Sequence, residues 1–361
     1  MDTDLADQRR ELRRRSRVIH GHGIPDATAE LARVAAWCNE QGVDADVYGA
    51  GAFVEGFEAQ LATLFDLPAA RFFPSGTMAQ GIAMRIWCGA GGHFGMHPTS
   101  HLELHEQRGY SHLFGLRATL VGTARRVLLA HDLAAVAEPL AALVVELPTR
   151  ENGGQLPTWD ELAELAALAR ARDMRLHLDG ARIWEAQAAY ERPFSEIAAL
   201  FDSVYVSFYK GIGALPGAML LGPRDFIDEA HLWQRRMGGN LYTLLPNVAS
   251  AASRLDTQLE RFPAYLERAR RLAATLDGTP GLHIIPDPPH VNMMHVVLDL
   301  DPDDALRARD RVAEETGLWL FGGVRPRSLP KQSSFELYVG DALMDIEDAE
   351  IRRAFESLHS A

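Results

Sequence analysis

The chain has 361 residues, of which 47% are hydrophobic and 24% charged, which is the balance of a soluble globular protein with a large core and two domains. The net charge of −13 argues against nucleic acid as a partner, because binding to phosphates needs a basic surface. Two cysteines, Cys38 and Cys88, are too few for a disulfide framework and lie in no paired metal-ligand motif, so a reducing cytoplasm is expected.

The N-terminal segment carries six arginines between Arg9 and Arg17, interleaved with acidic residues. No apolar segment follows this run, so it predicts a solvated helix rather than a targeting signal, with nucleic-acid binding as a weaker alternative. Nothing in the chain is typical of a membrane protein, so no membrane partner is expected.

Two helices are predicted next, one over residues 26–41 and one that begins after residue 50. The first opens with Asp26 as a candidate N-cap and has an apolar face of Leu31, Val34, Ala35 and Cys38. The second has Phe57, Leu61 and Leu64 on one face. The glycine-rich loop between them contains Tyr48, which either packs or faces a ligand.

A short polar motif, Ser75-Gly76-Thr77, lies between Phe72-Phe73 and a long apolar helix. Ser75 is placed to cap that helix, whose first-turn N–H groups carry the positive end of the helix dipole. The motif therefore predicts either a plain serine N-cap or a phosphate cradle.

Residues 93–112 contain five histidines at short spacings. Gly95 and Pro98 interrupt any continuous helix here, so the pattern predicts a loop followed by a short helix from about Ser100. One functional histidine among surface ones is favoured over a zinc site, and the spacing does not single out which one. The histidines are His93, His97, His101, His105 and His112.

Residues 116–206 alternate short apolar runs with helical patterns, including a clear helix from Trp159 to Ala171. Such alternation predicts a parallel sheet covered by helices, with ligands at the carboxyl ends of the strands. Asp179 stands at one such end, as a helix N-cap or as a partner for a ring nitrogen. Arg182 follows as a surface residue or as a fork for a carboxylate.

The segment Ser203–Gly222 reads as two strands that enclose Lys210 and several glycines. Lys210 and Lys331 are the only lysines of the chain, while arginine supplies every other basic side chain. Unlike arginine, a desolvated lysine can lose its proton and form an imine with a carbonyl compound. Lys210 is therefore either a lysine at a turn or a covalent anchor.

Beyond residue 250 a long helical pattern leads to a smaller module. The segments HVNMMHVVLDL and SFELYVG are predicted strands, and Asp301 is predicted to cap a helix that runs to about Thr316. These elements predict an N-terminal arm (1–25), a large domain (26–250) and a small C-terminal α+β domain (251–361).

The motifs together resemble a known family. S-G-T before a helix, H-L-D-G-A-R at a strand end and K-G-I-G-A-L-P-G occur in that order, with DADVYG, HLELHE and ENGGQLP as supporting segments. The chain is thus similar to the fold-type I pyridoxal-phosphate enzymes, and more narrowly to the threonine aldolase and β-eliminating lyase group. The resemblance extends over residues 44–300 and implies an α/β, transferase-like fold with a large, mainly parallel sheet.

The resemblance also implies roles for the cofactor-binding residues. Lys210 would bind pyridoxal 5'-phosphate as a Schiff base, Asp179 would pair with the pyridine nitrogen, and His101 would stack on the ring. The candidate base is His101 or a water that it holds. Asp179 would keep the ring protonated while negative charge develops at Cα. The phosphate would be held by Ser75, Gly76, Thr77 and Ser207, and Arg182 would lie near the phenolic oxygen of the cofactor or the substrate carboxylate.

Substrate contacts depart from the family pattern. Where the family has Ser-Asp-Thr near the N-terminus, this chain has His20 and His22, and Glu336 stands where the family has an arginine for the substrate carboxylate. The family's serine before the lysine is replaced by Tyr209. Candidates for the remaining substrate contacts are Arg182, Tyr48, Arg325, Arg327 and Arg150.

The predicted function is a pyridoxal-phosphate-dependent lyase that cleaves or forms the Cα–Cβ bond of a β-hydroxy-α-amino acid other than plain threonine. Two alternatives stay open: another reaction of the same cofactor, such as β-elimination, transaldol-type condensation or racemisation, and a non-catalytic member of the fold. No metal is expected. The resemblance also implies a cytoplasmic homodimer or homotetramer, with Tyr48 reaching a neighbouring active site.

Overall fold

The computed structural model describes residues 3–23 and 26–359; positions 1, 2, 24, 25, 360 and 361, at the ends of the predicted arm and of the C-terminal domain, lie outside this description. The helices are α1 Thr3–Arg15, α2 Ala27–Gln41, α3 Ala52–Phe65, α4 Gly76–Cys88, α5 His101–Leu104, α6 Gly109–Phe114, α7 Ala130–Ala134, α8 Trp159–Ala171, α9 Ile183–Tyr190, α10 Phe194–Ala198, α11 Arg224–Arg236, α12 Leu245–Leu259, α13 Phe262–Leu276, α14 Pro302–Thr316, α15 Asp341–Met344 and α16 Asp348–Glu356. The strands are β1 Arg17–Val18, β2 Ala69–Phe73, β3 His93–Met96, β4 Arg117–Leu120, β5 Ala142–Glu146, β6 Arg175–Gly180, β7 Ser203–Ser207, β8 Ala218–Gly222, β9 Leu282–Ile285, β10 Met293–Leu298, β11 Leu318–Trp319, β12 Arg325–Pro326 and β13 Ser333–Tyr338.

The chain divides into two compact units. The larger comprises Ala27–Glu151 and Gln155–Glu260, and the smaller comprises Met1–Asp26, Asn152–Gly154 and Arg261–Ala361. The predicted arm is therefore grouped with the C-terminal segment, and helix α12 belongs to the larger unit although the predicted boundary at 250 cuts it. Its Ser250 hydroxyl donates to Glu30 on α2 at 2.8 Å, which ties α12 to that unit.

The larger unit is built on a mostly parallel sheet. Over the described residues its strand order is β2-β8-β7-β6-β5-β3-β4, with β8 antiparallel to both of its neighbours and the strands from β7 to β4 parallel. All residues of β7 and β8 are buried, as expected for strands with helices on both faces. The predicted α/β class is confirmed, and the carboxyl ends of the parallel strands lie at one edge.

The smaller unit contains a four-stranded antiparallel sheet, β12-β13-β10-β9, and a two-stranded parallel pair, β1-β11, among the described residues. This arrangement confirms the predicted α+β module. Helix α14 begins after Asp301, as predicted, but the Asp301 side chain makes no capping hydrogen bond.

Three local predictions need correction. The loop predicted before Ser100 contains strand β3, and the long helix predicted after residue 250 is broken between α12 and α13, because Pro263 lies in the first turn of a new helix. Leu31, predicted on the apolar face of α2, is 58% exposed. In the described residues no helix is both long and apolar enough to cross a membrane.

Candidate active site

The candidate site lies in the larger unit, at the carboxyl ends of β5, β6 and β7. In the register of these parallel strands, Glu146 pairs with Asp179, and Asp179 pairs with Tyr205. Register partners of adjacent strands project from the same face of a sheet. Three polar side chains therefore stand side by side on one face, where the strands end.

Lys210 follows β7 and begins a tight turn. Gly213 donates its N–H to the Lys210 carbonyl at 3.0 Å and has φ +69°, a conformation that favours glycine. Burial and the neighbouring Arg182 guanidinium lower the pKa of the Lys210 amine, against the opposing attraction of Asp179 and Glu146. The amine is thereby biased towards its neutral, nucleophilic form.

Asp179 is almost completely buried, with an exposed fraction of 2%. Its Oδ1 accepts a hydrogen bond from the N–H of Ala181 at 3.1 Å. The residue at the N-cap of helix α9 is Arg182, so the alternative role of Asp179 as a helix cap is excluded. The hydrogen bond to the Ala181 N–H thus holds the carboxylate at the end of the strand.

The predicted phosphate cradle lies at the beginning of helix α4. Ser75 occupies the N-cap position in extended backbone conformation, but its side chain makes no capping hydrogen bond. Gly76 lies against the Tyr205 hydroxyl, which would be 2.1 Å from a Cβ at this position. Thr77 is exposed. Tyr205 therefore connects the start of α4 with the strand that precedes Lys210.

Ser207, the last residue of β7, has a fully buried side chain. Its carbonyl accepts a hydrogen bond from the Trp184 indole at 2.9 Å, whereas its hydroxyl oxygen has no hydrogen-bond partner among the described residues. A buried hydroxyl without a partner is costly, so this atom marks a position prepared for a bound polar group.

Two of the five histidines form carboxylate pairs that lie next to each other. His101 Nδ1 is 2.9 Å from Glu106 Oε1, and His105 Nε2 is 2.8 Å from Glu151 Oε1. The two imidazole rings lie with centroids 5.0 Å apart. Glu106 in turn acts electrostatically on Tyr205. The predicted helix from about Ser100 is confirmed, and among the described residues no group of three or more His, Cys, Asp or Glu side chains is arranged to hold a metal ion.

Tyr48 also belongs to the larger unit. It has φ +55°, is 50% exposed and packs edge-on against Tyr242 at a centroid distance of 5.5 Å. The loop that carries it is held by the buried Asp46, whose carboxylate accepts from Gly49 at 2.8 Å and from Leu244 at 2.8 Å.

Of the other predicted substrate contacts, Arg150 and Arg182 belong to the larger unit and the rest to the smaller one. His22 Nδ1 is 2.9 Å from Asp341, which also accepts a hydrogen bond from Tyr265 and forms an ion pair with Arg261. His20 is exposed beside Tyr338. Glu336 faces His295 across the β13–β10 pair, and Arg325 lies exposed on β12. The roles proposed for these residues stay predictions.

Glu146 and Tyr205 are site residues that the sequence interpretation missed. Glu146 follows the apolar run of β5 as Asp179 follows the apolar run of β6. The expectation that a polar residue at the carboxyl end of a strand contacts a ligand therefore applies to Glu146 as well. Tyr205 is two residues from both Ser203 and Ser207. Side chains two positions apart point to the same face of a strand, so all three lie on one face of β7. The histidine partners Glu106 and Glu151 were also missed, because only the folded chain brings Glu151 to His105.

Comparisons with known proteins extend over most of the chain. The family model described as Beta-eliminating lyase matches residues 26–301. Low-specificity L-threonine aldolase 1 of Arabidopsis thaliana is 26% identical over 301 residues, which cover 80% of this chain and 83% of the relative.

Two crystal structures are similar over nearly the whole chain. A provisionally assigned L-allo-threonine aldolase of Listeria monocytogenes is 37% identical with a TM-score of 0.91, covering 98% of this chain and 99% of that one. A provisionally assigned aromatic amino acid beta-eliminating lyase/threonine aldolase of Exiguobacterium is 38% identical with the same TM-score of 0.91, covering 97% and 98%.

Proposed function

The chain belongs to the beta-eliminating lyase family, and from this premise we propose that it is a pyridoxal-phosphate-dependent lyase of the threonine aldolase type, acting on a β-hydroxy-α-amino acid. Its fold is the fold-type I α/β architecture. The observation that carries the proposal is the buried Lys210 amine, whose pKa is lowered, beside the Asp179 carboxylate at the end of the adjacent strand. A neutral amine in this position is suited to covalent attachment of an aldehyde cofactor.

The residues present fit pyridoxal phosphate. The buried Ser207 hydroxyl has no partner in the described part of the chain, and Ser75 heads helix α4 without using its hydroxyl as a cap. These hydroxyls and the first-turn N–H groups of α4 form a donor set suited to a phosphate. Asp179 would hold the pyridine nitrogen, and His101 would stack on the ring.

The bound cofactor would supply an electron sink for a carbanion at Cα of the amino acid. Lys210 would anchor it, and Asp179 would keep a proton on the ring nitrogen. His101 would accept the proton of the β-hydroxyl, because an imidazole is a suitable base near neutral pH. Glu106, bonded to Nδ1 of His101, would fix the ring so that Nε2 is the nitrogen that takes the proton.

The substrate is proposed to differ from plain threonine. His20, His22 and Glu336 replace the family's usual substrate contacts, and a glutamate repels the α-carboxylate that an arginine would bind. Arg182, Tyr48 and Arg325 are the proposed substitutes, with Arg150 and Arg327 as further candidates. The beta-eliminating lyase family model favours β-elimination as the second candidate reaction.

The test is a panel of L-threonine, L-allo-threonine and larger β-hydroxy amino acids, with the products identified. Glycine plus an aldehyde supports aldol cleavage, whereas ammonia plus a keto acid supports β-elimination. Wild-type protein is expected to show a visible absorption band with added cofactor, and Lys210→Ala is expected to lose it. A colourless wild type that takes up no cofactor would contradict the enzyme proposal. Cleavage of threonine as fast as the larger substrates would contradict the altered specificity.

A cytoplasmic homodimer or homotetramer is proposed as the working state. Both cysteines are free, which suits a reducing compartment, and Tyr48 and Tyr242 form an exposed aromatic pair suited to a contact with a second copy. Sedimentation of the wild type against Tyr48→Ser tests the assembly; a monomeric wild type would contradict it.

A further inference from the structure

Glu146 is a partly buried acid that the mechanism above does not use. It ends strand β5 and lies directly opposite Asp179 in the register of β5 and β6. Its Oε1 accepts a hydrogen bond from the backbone N–H of Arg150 at 3.1 Å. Its Oε2 is buried and has no hydrogen-bond partner among the described residues.

Two carboxyl groups that face each other in a buried site cannot both ionise cheaply, and they share protons as a pair. Three charged groups act on Glu146: Asp179 on β6, Arg182 at the start of α9 and Lys210 after β7. The backbone N–H of Arg150 acts on it through the hydrogen bond to Oε1. Burial, followed by the charge of Asp179, raises the pKa of Glu146 to about 8, while Arg182 and Lys210 oppose that rise.

We propose that Glu146 is a positioning residue that stays a neutral carboxylic acid beside Asp179, so that the pair carries a single negative charge and Asp179 bears it. This inference rests on the proposed function for the meaning of the Asp179 charge. The unpartnered Oε2 is the atom that carries the proton, and it is available as a donor to a bound polar group.

The arrangement has a consequence for Lys210. While Glu146 is neutral, Asp179 supplies the one negative charge that acts on the amine, against the positive charges of Arg182 and Arg150, and the pKa of the amine stays low. When Glu146 ionises, a second negative charge appears nearby and stabilises the ammonium form of the lysine. As the pH rises, ionisation of Glu146 therefore ends the state in which Asp179 alone is charged and Lys210 is readily deprotonated.

The first test uses cofactor-free protein and is independent of the reaction. Infrared spectra of the wild type at pH 7 are expected to show the carbonyl stretch of buried protonated carboxylic acids, and Glu146→Gln is expected to remove the component that Glu58→Gln leaves in place. Glu58→Gln is the matched control, because Glu58 is another buried carboxyl group of the larger unit, whose pKa burial raises to about 7, and it is not among the groups that act on Glu146.

The pH dependence of the free energy of unfolding is a second measure of the protonation of Glu146. A raised pKa in the folded state means that the contribution of Glu146 is fully present below its unfolded pKa of about 4.5 and is lost as the pH rises through about 8. Glu146→Gln should flatten this part of the stability profile, whereas Glu58→Gln should leave the loss near pH 8 in place. In Asp179→Asn the loss should move to lower pH, because the charge that helps raise the pKa is gone.

The second test uses cofactor-loaded protein. Glu146→Gln is expected to bind pyridoxal phosphate within about threefold of the wild type, a difference under 1 kcal/mol. Its visible absorption band should no longer change with pH around 8. Loss of affinity by about tenfold or more at pH 7, with no change in the infrared signal, would overturn the proposal, because it would show that Glu146 acts as an anion.

The outcomes separate the two proposals. A wild type that binds no cofactor contradicts the proposed function, while the infrared and stability measurements still decide the protonation of Glu146. If Glu146→Gln does not fold, the protonation of Glu146 is read from the infrared signal that remains in Glu58→Gln. A carboxylic acid signal that persists to pH 8 in that variant supports the proposal, and its absence overturns it.

Discussion

Lys210 is the residue whose chemistry depends most on its surroundings. Its pKa is lowered because burial and Arg182 disfavour the ammonium form. The same burial carries a stability cost in the cofactor-free protein, since below its folded pKa the lysine must be held as a buried cation. The site is therefore destabilised as long as no cofactor is attached to Lys210.

We expect Lys210→Met to stabilise the cofactor-free protein at pH 7 by about 1–2 kcal/mol, as when other buried charges are replaced by apolar side chains. The gain should shrink as the pH rises through the ordinary lysine value of 10.5, because the unfolded lysine is then neutral as well. Chemical denaturation between pH 7 and 10.5 measures this. A destabilised variant at pH 7 would contradict the burial cost.

Asp179 provides a second prediction at the residue scale. We expect Asp179→Asn to weaken cofactor binding by about 30- to 100-fold, because a charge-assisted hydrogen bond to the ring nitrogen is lost. Asp202→Asn is the control: Asp202 lies before β7, at the opposite end of the sheet, where it accepts from Leu176 N–H at 2.8 Å. Equal losses in the two variants would refute a specific role for Asp179.

At the scale of elements, the start of helix α4 is the tightest junction of the site. A Cβ on Gly76 would lie 2.1 Å from the Tyr205 hydroxyl oxygen and 2.8 Å from the ring carbon that bears it. The glycine therefore allows α4 to begin directly above strand β7. It also keeps the first-turn N–H groups next to the residues that precede Lys210.

We expect Gly76→Ala to weaken cofactor binding by about tenfold or more, and Tyr205→Phe to restore part of the loss by removing the nearest atom. Titration of the visible band measures both. Gly56→Ala on helix α3 is the matched control, because nothing lies within 4 Å of its added Cβ, and it should gain up to about 1 kcal/mol of stability. An unaffected Gly76→Ala would mean that α4 does not hold the phosphate.

Sequence patterns predicted some helices and strands and missed others. The helix from Trp159 to Ala171 was predicted to the residue, because Thr158 caps it and Glu161 completes a capping box. Strand β3 was missed because Gly95 interrupts its pattern. The fold requires that glycine, since a Cβ there would lie 2.9 Å from both Leu140 and Leu143.

At the scale of the whole molecule, a buried structural arginine and the proposed cofactor site lie in different units. The smaller unit contains the almost fully buried Arg268, which donates to the carbonyls of Leu343 and Ile346 and pairs with Asp348. All residues proposed to hold the cofactor lie in the larger unit instead. Stability and cofactor binding are therefore expected to respond to different substitutions.

We expect Arg268→Met to reduce the free energy of unfolding by about 3–5 kcal/mol, because it leaves two buried carbonyls without their donor and removes the buried partner of Asp348. The visible band of the cofactor-loaded protein should stay unchanged well below the melting temperature. Arg271→Met is the control on the same helix and the same partner, Asp348; it is half exposed and should change stability by no more than about 0.5 kcal/mol. Equal effects would contradict the role of burial.

The sequence by itself determined the α/β class, most helices and the identity of Lys210 and Asp179 as strand-end residues, because periodicity and strand ends are local properties. Only the tertiary structure decided which residues face one another. The pairing of Glu146 with Asp179, of Gly76 with Tyr205 and of His105 with Glu151 joins segments distant along the chain. The lowered pKa of Lys210 and the raised pKa of Glu146 follow from burial, which no local pattern specifies.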